Sequence, residues 1–390
     1  MDISLTAFME GQLQQTTSVF HRYMYEQISW DAHMFGLVGP RGVGKSTMIL
    51  QYIKEHRADR RMFYVTADHL YFSSHTLVDL ADEFAREGGG QLFIDEIHKY
   101  ENWSRELKQI HDSYPDVRVG FTGSSVLDIY KGYADLSRRA PIFMMQGLSF
   151  REYLMMFHEI EVPVYPLEMI LTNKVELPSV AHPLPLFRDF LRHGYYPFSR
   201  EGDFELRLRQ VVNQSLEVDI PIFAGMNVAT GRKLKKLLAV IAQSVPFKPV
   251  MDSIATVVGT SRNVLPDYFL YMEQAGLIGQ LRDDTGGIRG VGKVEKVYLD
   301  NTNLAYLLGG PSTEVGNIRE TFFYNQMRVT TDVISSRISD FEINGVTFEV
   351  GGKKKGKKQI SDAKEGYVVR DDIEFGSGNI LPLWAFGFTY

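Results

Sequence analysis

Residues 34–56 read MFGLVGPRGVGKSTMILQYIKEH: an apolar strand, Met34–Val38, a glycine-rich loop, and a helix near Ser46–His56. Gly39 to Ser46 match G-x-x-x-x-G-K-[ST] in full, between the strand and the helix that this motif needs. The chemistry explains each residue type. Glycines allow a tight turn and let backbone N–H groups approach phosphate oxygens with no Cβ in the way. The following helix points its positive end at the same anion. Gly39, Pro40, Arg41, Gly42, Val43, Gly44, Lys45, Ser46 and Thr47 are therefore the expected nucleotide-binding residues. Lys45 is expected to reach the β- and γ-phosphates of ATP, and the Ser46 hydroxyl to ligate Mg2+.

Outward from this loop, Met62–Thr66, Leu92–Asp95, Val119–Thr122 and Ile142–Gln146 read as strands. Helical patterns such as Leu77–Arg86 and Trp103–Ser113 lie between them, the alternation of a parallel α/β sheet. Leu92-Phe93-Ile94-Asp95-Glu96 ends an apolar strand in two carboxylates. Asp95 is expected to hold Mg2+, directly or through water, and Glu96 to polarise an attacking water. A small-molecule kinase takes its acceptor from the substrate, so the second acid favours hydrolysis. At the next strand tip, in VGFTGSS (119–125), Thr122 and Ser124 both offer a hydroxyl to sense the γ-phosphate, and Ser124 is preferred. Arg138 and Arg139 precede the fifth strand. Either can serve as an arginine finger across a subunit boundary, which makes a homo-oligomer a candidate state. Solvated arginines at a helix end are the plainer reading. Trp30 and Tyr23–Tyr25 can flank an adenine, although core packing explains those aromatics better.

A net charge of −6 gives no global attraction to nucleic acid. The chain has no cysteine, which excludes disulfides, thiolate catalysis and cysteine zinc sites and fits a reducing, cytoplasmic location. There is no basic start followed by an apolar run, and no stretch long enough to cross a bilayer, so no membrane association is expected.

Proline-broken helical patterns fill residues 151–230. Leu234, Leu237, Leu238 and Ile241 then open three helical patterns, the last capped by Ser261 and carrying an irregular Pro266 in its second turn. Two β-like runs, Leu277–Arg282 and Lys293–Leu299, follow. Together these read as a winged helix-turn-helix over residues 231–304. DNA is a candidate partner there through Arg262, Asn263, Arg282, Arg289, Lys293 and Lys296, although Asp267 and Glu273 dilute the charge. Val346–Val350 and Ile380–Tyr390 are strand candidates in the last segment, with the lysine-rich Lys353–Lys358 between them.

The P-loop, LFIDE, FTGSS and LSRRAPIFMMQGLSFREYL together resemble prokaryotic AAA-type ATPases of the additional-strand glutamate class. YLDNTNLAYLLGG and RETFFYNQM are similar to the C-terminal half of members that carry a winged helix and a domain related to PD-(D/E)xK nucleases. The resemblance implies a P-loop NTPase sheet over 1–150, with the P-loop strand flanked by the strands of Ser124 and Asp95. It implies Arg138 or Arg139 as the finger, a helical connection over 151–230, and a C-terminal α/β nuclease-like domain over 305–390. Glu320, Asp340 and Glu349 align with its acidic positions, but Gly351 stands where lysine belongs and Lys353 comes two residues later. That domain is expected to be inactive. The resulting expectation is a Mg2+-dependent ATPase acting as a nucleotide-driven switch. The alternatives are a nucleotide-gated DNA-binding scaffold and an ATPase-coupled nuclease.

Overall fold

The computed structural model describes residues 1–58, 61–124, 136, 138–226, 228–244, 248–284, 292–310 and 313–390. They divide into two compact units, Met1–Gly147 and Leu148–Tyr390.

In the first unit the strands are β1 (Met34–Val38), β2 (Met62–Thr66), β3 (Gln91–Asp95), β4 (Arg118–Gly123) and β5 (Ile142–Met144). They form one parallel sheet in the order β2-β3-β4-β1-β5. Every residue of β1 and β3 is buried, as the unbroken apolar runs require of strands covered on both faces. Four helices, α1 (Ile3–Gln15), α2 (Lys45–His56), α3 (Leu77–Arg86) and α4 (Trp103–Ser113), contribute Leu5, Ile49, Leu80 and Leu107 to the same core as Phe35, Phe93 and Phe121. Helix α3 starts on a capping box between Thr76 and Asp79.

The strand order corrects one expectation. β1 is flanked by β4 and β5, and β3 with Asp95 lies one strand further out, paired to β4. Two strand spacings of roughly 4.8 Å therefore separate the P-loop strand from the acidic strand. β4 lies in that gap and carries the Thr122 hydroxyl at its tip.

The second unit begins with α5 (Phe150–His158), started by a capping box between Ser149 and Glu152. Shorter helical pieces follow. Then come α6 (Val228–Ser244), α7 (Met251–Val258), α8 (Leu265–Gln274) and the antiparallel pair β6 (Ile278–Arg282) and β7 (Val294–Leu299). Leu234, Leu237, Leu238 and Ile241 are all buried. Pro266 is not an interruption. Ser261 caps a separate turn over Arg262–Val264, and α8 starts at Leu265. Pro266 thus stands in the first turn, where a missing N–H costs no intrahelical bond.

After α9 (Val315–Met327), strands β8 (Ile334–Ser335), β9 (Phe341–Ile343), β10 (Val346–Gly351), β11 (Gly366–Arg370) and β12 (Ile380–Pro382) make a mixed sheet in the order β12-β11-β10-β9-β8. The expected closing strand to Tyr390 is cut short. Pro382 ends β12, and Leu383–Phe388 coils into a fully buried 3-10 turn. Proline cannot donate to a ladder, and an apolar run without alternation is compatible with either conformation. Among the described residues no helix is long and apolar enough to cross a membrane.

Candidate nucleotide site

The glycine-rich loop leaves β1 and turns into α2 at Gly44, whose φ of 96° is a left-handed value that favours glycine. Gly39 is required for a different reason: a Cβ there would lie 2.1 Å from the Met145 carbonyl oxygen. The loop is thus wedged against the segment after β5. Arg22 fixes it from behind. This buried guanidinium donates to the Val43 carbonyl and to the carbonyls of Gln146 and Gly147 at 2.8 and 2.9 Å. No sequence pattern marks Arg22, because its partners lie 21, 124 and 125 residues away.

Lys45 opens α2, is buried, and donates to the Gly39 and Pro40 carbonyls at 2.8 and 3.0 Å. Burial lowers its ammonium to about 8, against the opposing pull of the Glu96 and Asp95 charges. Ser46 is half-buried and Thr47 exposed.

Asp95, at the end of β3, accepts from the Tyr64 hydroxyl at 2.6 Å and from the Thr122 hydroxyl. Burial first, and then the Asp95 charge, raise the Tyr64 phenol far above its ordinary range, so it remains a donor. A hydroxyl at the start of α2, Ser46, and a buried carboxylate at the end of β3, Asp95, are oxygen donors of the kind Mg2+ takes, and phosphate and water oxygens could complete such a shell. Among the described residues no group of three or more His, Asp or Glu could hold a metal unaided. No sequence pattern marks Tyr64, whose partner Asp95 lies 31 residues away.

Glu96 sits in a left-handed turn, φ 50° and ψ 41°, a conformation a glutamate adopts at a cost. Its N–H donates to Thr122 Oγ1 at 3.0 Å, and its carboxylate accepts from Ser124 at 3.2 Å. Arg41 and His98 each lie 3.6 Å from the same carboxylate oxygen. Burial raises the Glu96 carboxyl, while Lys45 and Arg41 oppose the shift. The Thr122 hydroxyl of β4 and the Ser124 hydroxyl just past its end thus have separate contacts. Thr122, fully buried, ties the Asp95 side chain to the Glu96 backbone, and Ser124 faces the Glu96 carboxylate. Ser125 lies outside the described residues.

The two arginines before β5 differ. Arg139 makes a forked pair with Asp112 of α4, both contacts at 3.0 Å, and Arg139 followed by His111 holds the Asp112 carboxyl down to about 2. Arg138 is exposed. Trp30 stacks on Tyr52 at 3.9 Å and donates to the Tyr25 carbonyl at 2.8 Å, so it serves core packing.

Residues 31–154 match a family model described as an AAA domain. The P-loop, Asp95, Glu96, Thr122, Ser124, Arg138 and Arg139 fall within this AAA-type segment. An uncharacterized protein of Methanocaldococcus jannaschii is 26% identical over 401 residues, spanning 90% of this chain and 83% of that protein. Among solved structures, the Walker-type ATPase of Pyrococcus abyssi is 14% identical over 77% of this chain and 95% of that one, with a TM-score of 0.45. AMPPCP-bound DnaA of Aquifex aeolicus is 10% identical over 70% and 89%, with a TM-score of 0.30.

In the second unit, Lys296 on β7 donates to Glu320 and Asp340 at 3.1 Å each, and Tyr298 donates to Glu320 at 2.8 Å. Burial raises the Glu320 carboxyl and the Asp340 charge adds to it. Glu349 is buried against Lys355 and Ser339. The lysine beside Glu349 is therefore Lys355, brought round by a turn at Gly352, while Lys353 is exposed. The expected DNA-facing cations are largely engaged: Arg262 with Asp252 at 3.1 Å, Arg282 with Glu273 at 3.3 Å, and Lys293 with Glu295 at 3.0 Å. Arg289 lies outside the described residues.

Proposed function

We propose that the AAA-type segment binds ATP with Mg2+ and hydrolyses it, and that turnover switches the state of the second unit. The observation that carries this reading is the Glu96 carboxylate. A strained turn holds it at the sheet tip, hydrogen-bonded to Ser124 and within the field of Lys45 and Arg41. In this reading the amides of Gly42 to Ser46 and the Lys45 ammonium hold the phosphates, while Ser46 and Asp95 hold the ion. Bound Mg2+ would neutralise charge on the phosphate oxygens. Glu96 orients and polarises the attacking water, Ser124 positions that carboxylate, and Arg138 completes the site from a neighbouring copy.

The decisive experiment compares Glu96→Gln with the parent. Nucleotide binding is expected to persist while turnover falls by roughly 10²–10⁴-fold, the usual worth of a general base. Unchanged hydrolysis in Glu96→Gln would remove that role.

For the second unit we propose a binding or lever role in place of nuclease chemistry. What supports this is that Lys296 and Lys355 already contact the three carboxylates a metal would need. DNA remains a candidate partner through the exposed Lys353, Lys354, Lys357 and Lys358. Labelled DNA incubated with Mg2+ or Mn2+ is expected to stay intact; cleavage abolished by Glu349→Ala would restore the nuclease reading.

A further inference from the structure

We propose, on the reading that Glu96 is the base, that His98 is a positioning residue for hydrolysis. Its imidazole N–H holds one oxygen of the Glu96 carboxylate and leaves the other to take a proton from the attacking water.

The chain after β3 accounts for the placement. Glu96 adopts a left-handed conformation, and a short 3-10 turn, Ile97–Lys99, follows at once. Two backbone bonds close this turn. The Lys99 N–H donates to the Glu96 carbonyl at 2.9 Å, and the Tyr100 N–H donates to the Ile97 carbonyl at 3.1 Å. Ile97 is fully buried and anchors the turn in the core of the first unit. The next two side chains part ways. Lys99 pairs with Asp68 at 3.3 Å on the exposed side. His98 folds back over Glu96, and its imidazole is only 6% exposed. The strained backbone at Glu96 thus returns a side chain to the carboxylate from two residues further on.

His98 Nε2 lies 3.6 Å from Glu96 Oε2 and 3.5 Å from Ser124 Oγ, which itself donates to Oε2 at 3.2 Å. Arg41 Nη1 meets the same oxygen at 3.6 Å. The P-loop, the segment after β4 and the turn after β3 therefore converge on Oε2, and none of these contacts is to Oε1. Of the three groups, only His98 is carried by the same turn as Glu96, so its contact is built into the local chain. A carboxylate accepts at both oxygens, and an imidazole facing it offers an N–H. Holding Oε2 orients the plane of the group and aims the lone pairs of Oε1 in one direction. A general base needs that geometry before it needs a tuned pKa, and such contacts tighten when substrate is in place.

The test is a mutant cycle on the full chain. His98→Asn keeps an amide but is too short to reach Oε2, whereas His98→Gln carries an N–H to the region of Nε2. In His98→Asn, kcat for MgATP is expected to fall about ten- to a hundredfold, the cost of misplacing a reacting group by about 1 Å. KM and the calorimetric affinity for MgATP are expected to match the parent, which also shows that the variant is folded. His98→Gln is expected to recover most of the lost kcat. Placed in Glu96→Gln, His98→Asn is expected to cost nothing further, because it acts through that carboxylate. If His98→Asn does not fold, His98→Leu fills the same space without an N–H and carries the same expectations. The proposal is overturned if the variant lacking the N–H turns over like the parent, if its loss repeats in full in Glu96→Gln, or if His98→Gln is equally impaired. Parental turnover in Glu96→Gln alone would instead remove the base itself, so the two readings fail separately.

Discussion

Lys45 is the residue whose ionisation should be visible in solution. In the folded protein burial brings its ammonium to about 8, below the 10.5 of an exposed lysine. Below pH 8 it is already charged and meets the phosphates directly. Above pH 8 it must first take up a proton, so MgATP affinity should fall as pH rises, by at most about tenfold per unit. Calorimetric titration at pH 7, 8 and 9 measures this; a flat affinity would mean that Lys45 stays charged throughout. Thr122 offers a second test. Thr122→Val keeps the shape but strips partners from Asp95 Oδ1 and the Glu96 N–H, both held by the Thr122 hydroxyl. The expected loss, by urea unfolding, is about 1–3 kcal/mol.

At the scale of the element, the P-loop is held less by its own glycines than by what lies behind it. Gly39→Ala would drive a Cβ into the Met145 carbonyl, and the loop or the segment after β5 must move. A stability loss of about 1–3 kcal/mol with weakened nucleotide binding is expected, read by thermal unfolding with and without MgATP. Arg22→Met removes the cation that gathers three carbonyls from the P-loop and the chain after β5. Oxygens left without donors cost about 1–3 kcal/mol each, so this variant should be the more damaging of the two. Equal effects would mean that the Arg22 contacts do not brace the loop.

For the whole molecule the open question is self-association. Arg139 is engaged by Asp112 within its own unit and Arg138 is exposed, so the proposal that a neighbouring copy supplies an arginine is tested at Arg138. Specific ATPase activity is therefore expected to rise with protein concentration. Arg138→Ala should hold it at the dilute level, with a loss of up to roughly 10³-fold or more at high concentration. Arg139→Ala should act mainly on stability. Activity independent of concentration in the parent would assign the site to a single chain. If duplex DNA binds the exposed Lys353, Lys354, Lys357 and Lys358 of the unit that turnover switches, it is expected to change turnover; unchanged turnover with DNA would remove it as a partner of the switch.

What the sequence by itself determined is local. The β1–loop–α2 unit, the five strands of the first sheet and α3 and α4 follow from apolar runs, glycine spacing and helical period, signals written between residues a few positions apart. The placement of Asp95 and Glu96 at the sheet tip was legible because the apolar run 92–94 leads straight into both acids. Strand order was not legible, nor were Arg22, Tyr64, the division of labour between Thr122 and Ser124, or the pairing of Arg139 with Asp112. Each of these depends on which distant segments the packed core brings within 3–4 Å, and a buried hydrogen bond between segments a hundred residues apart leaves no periodic trace.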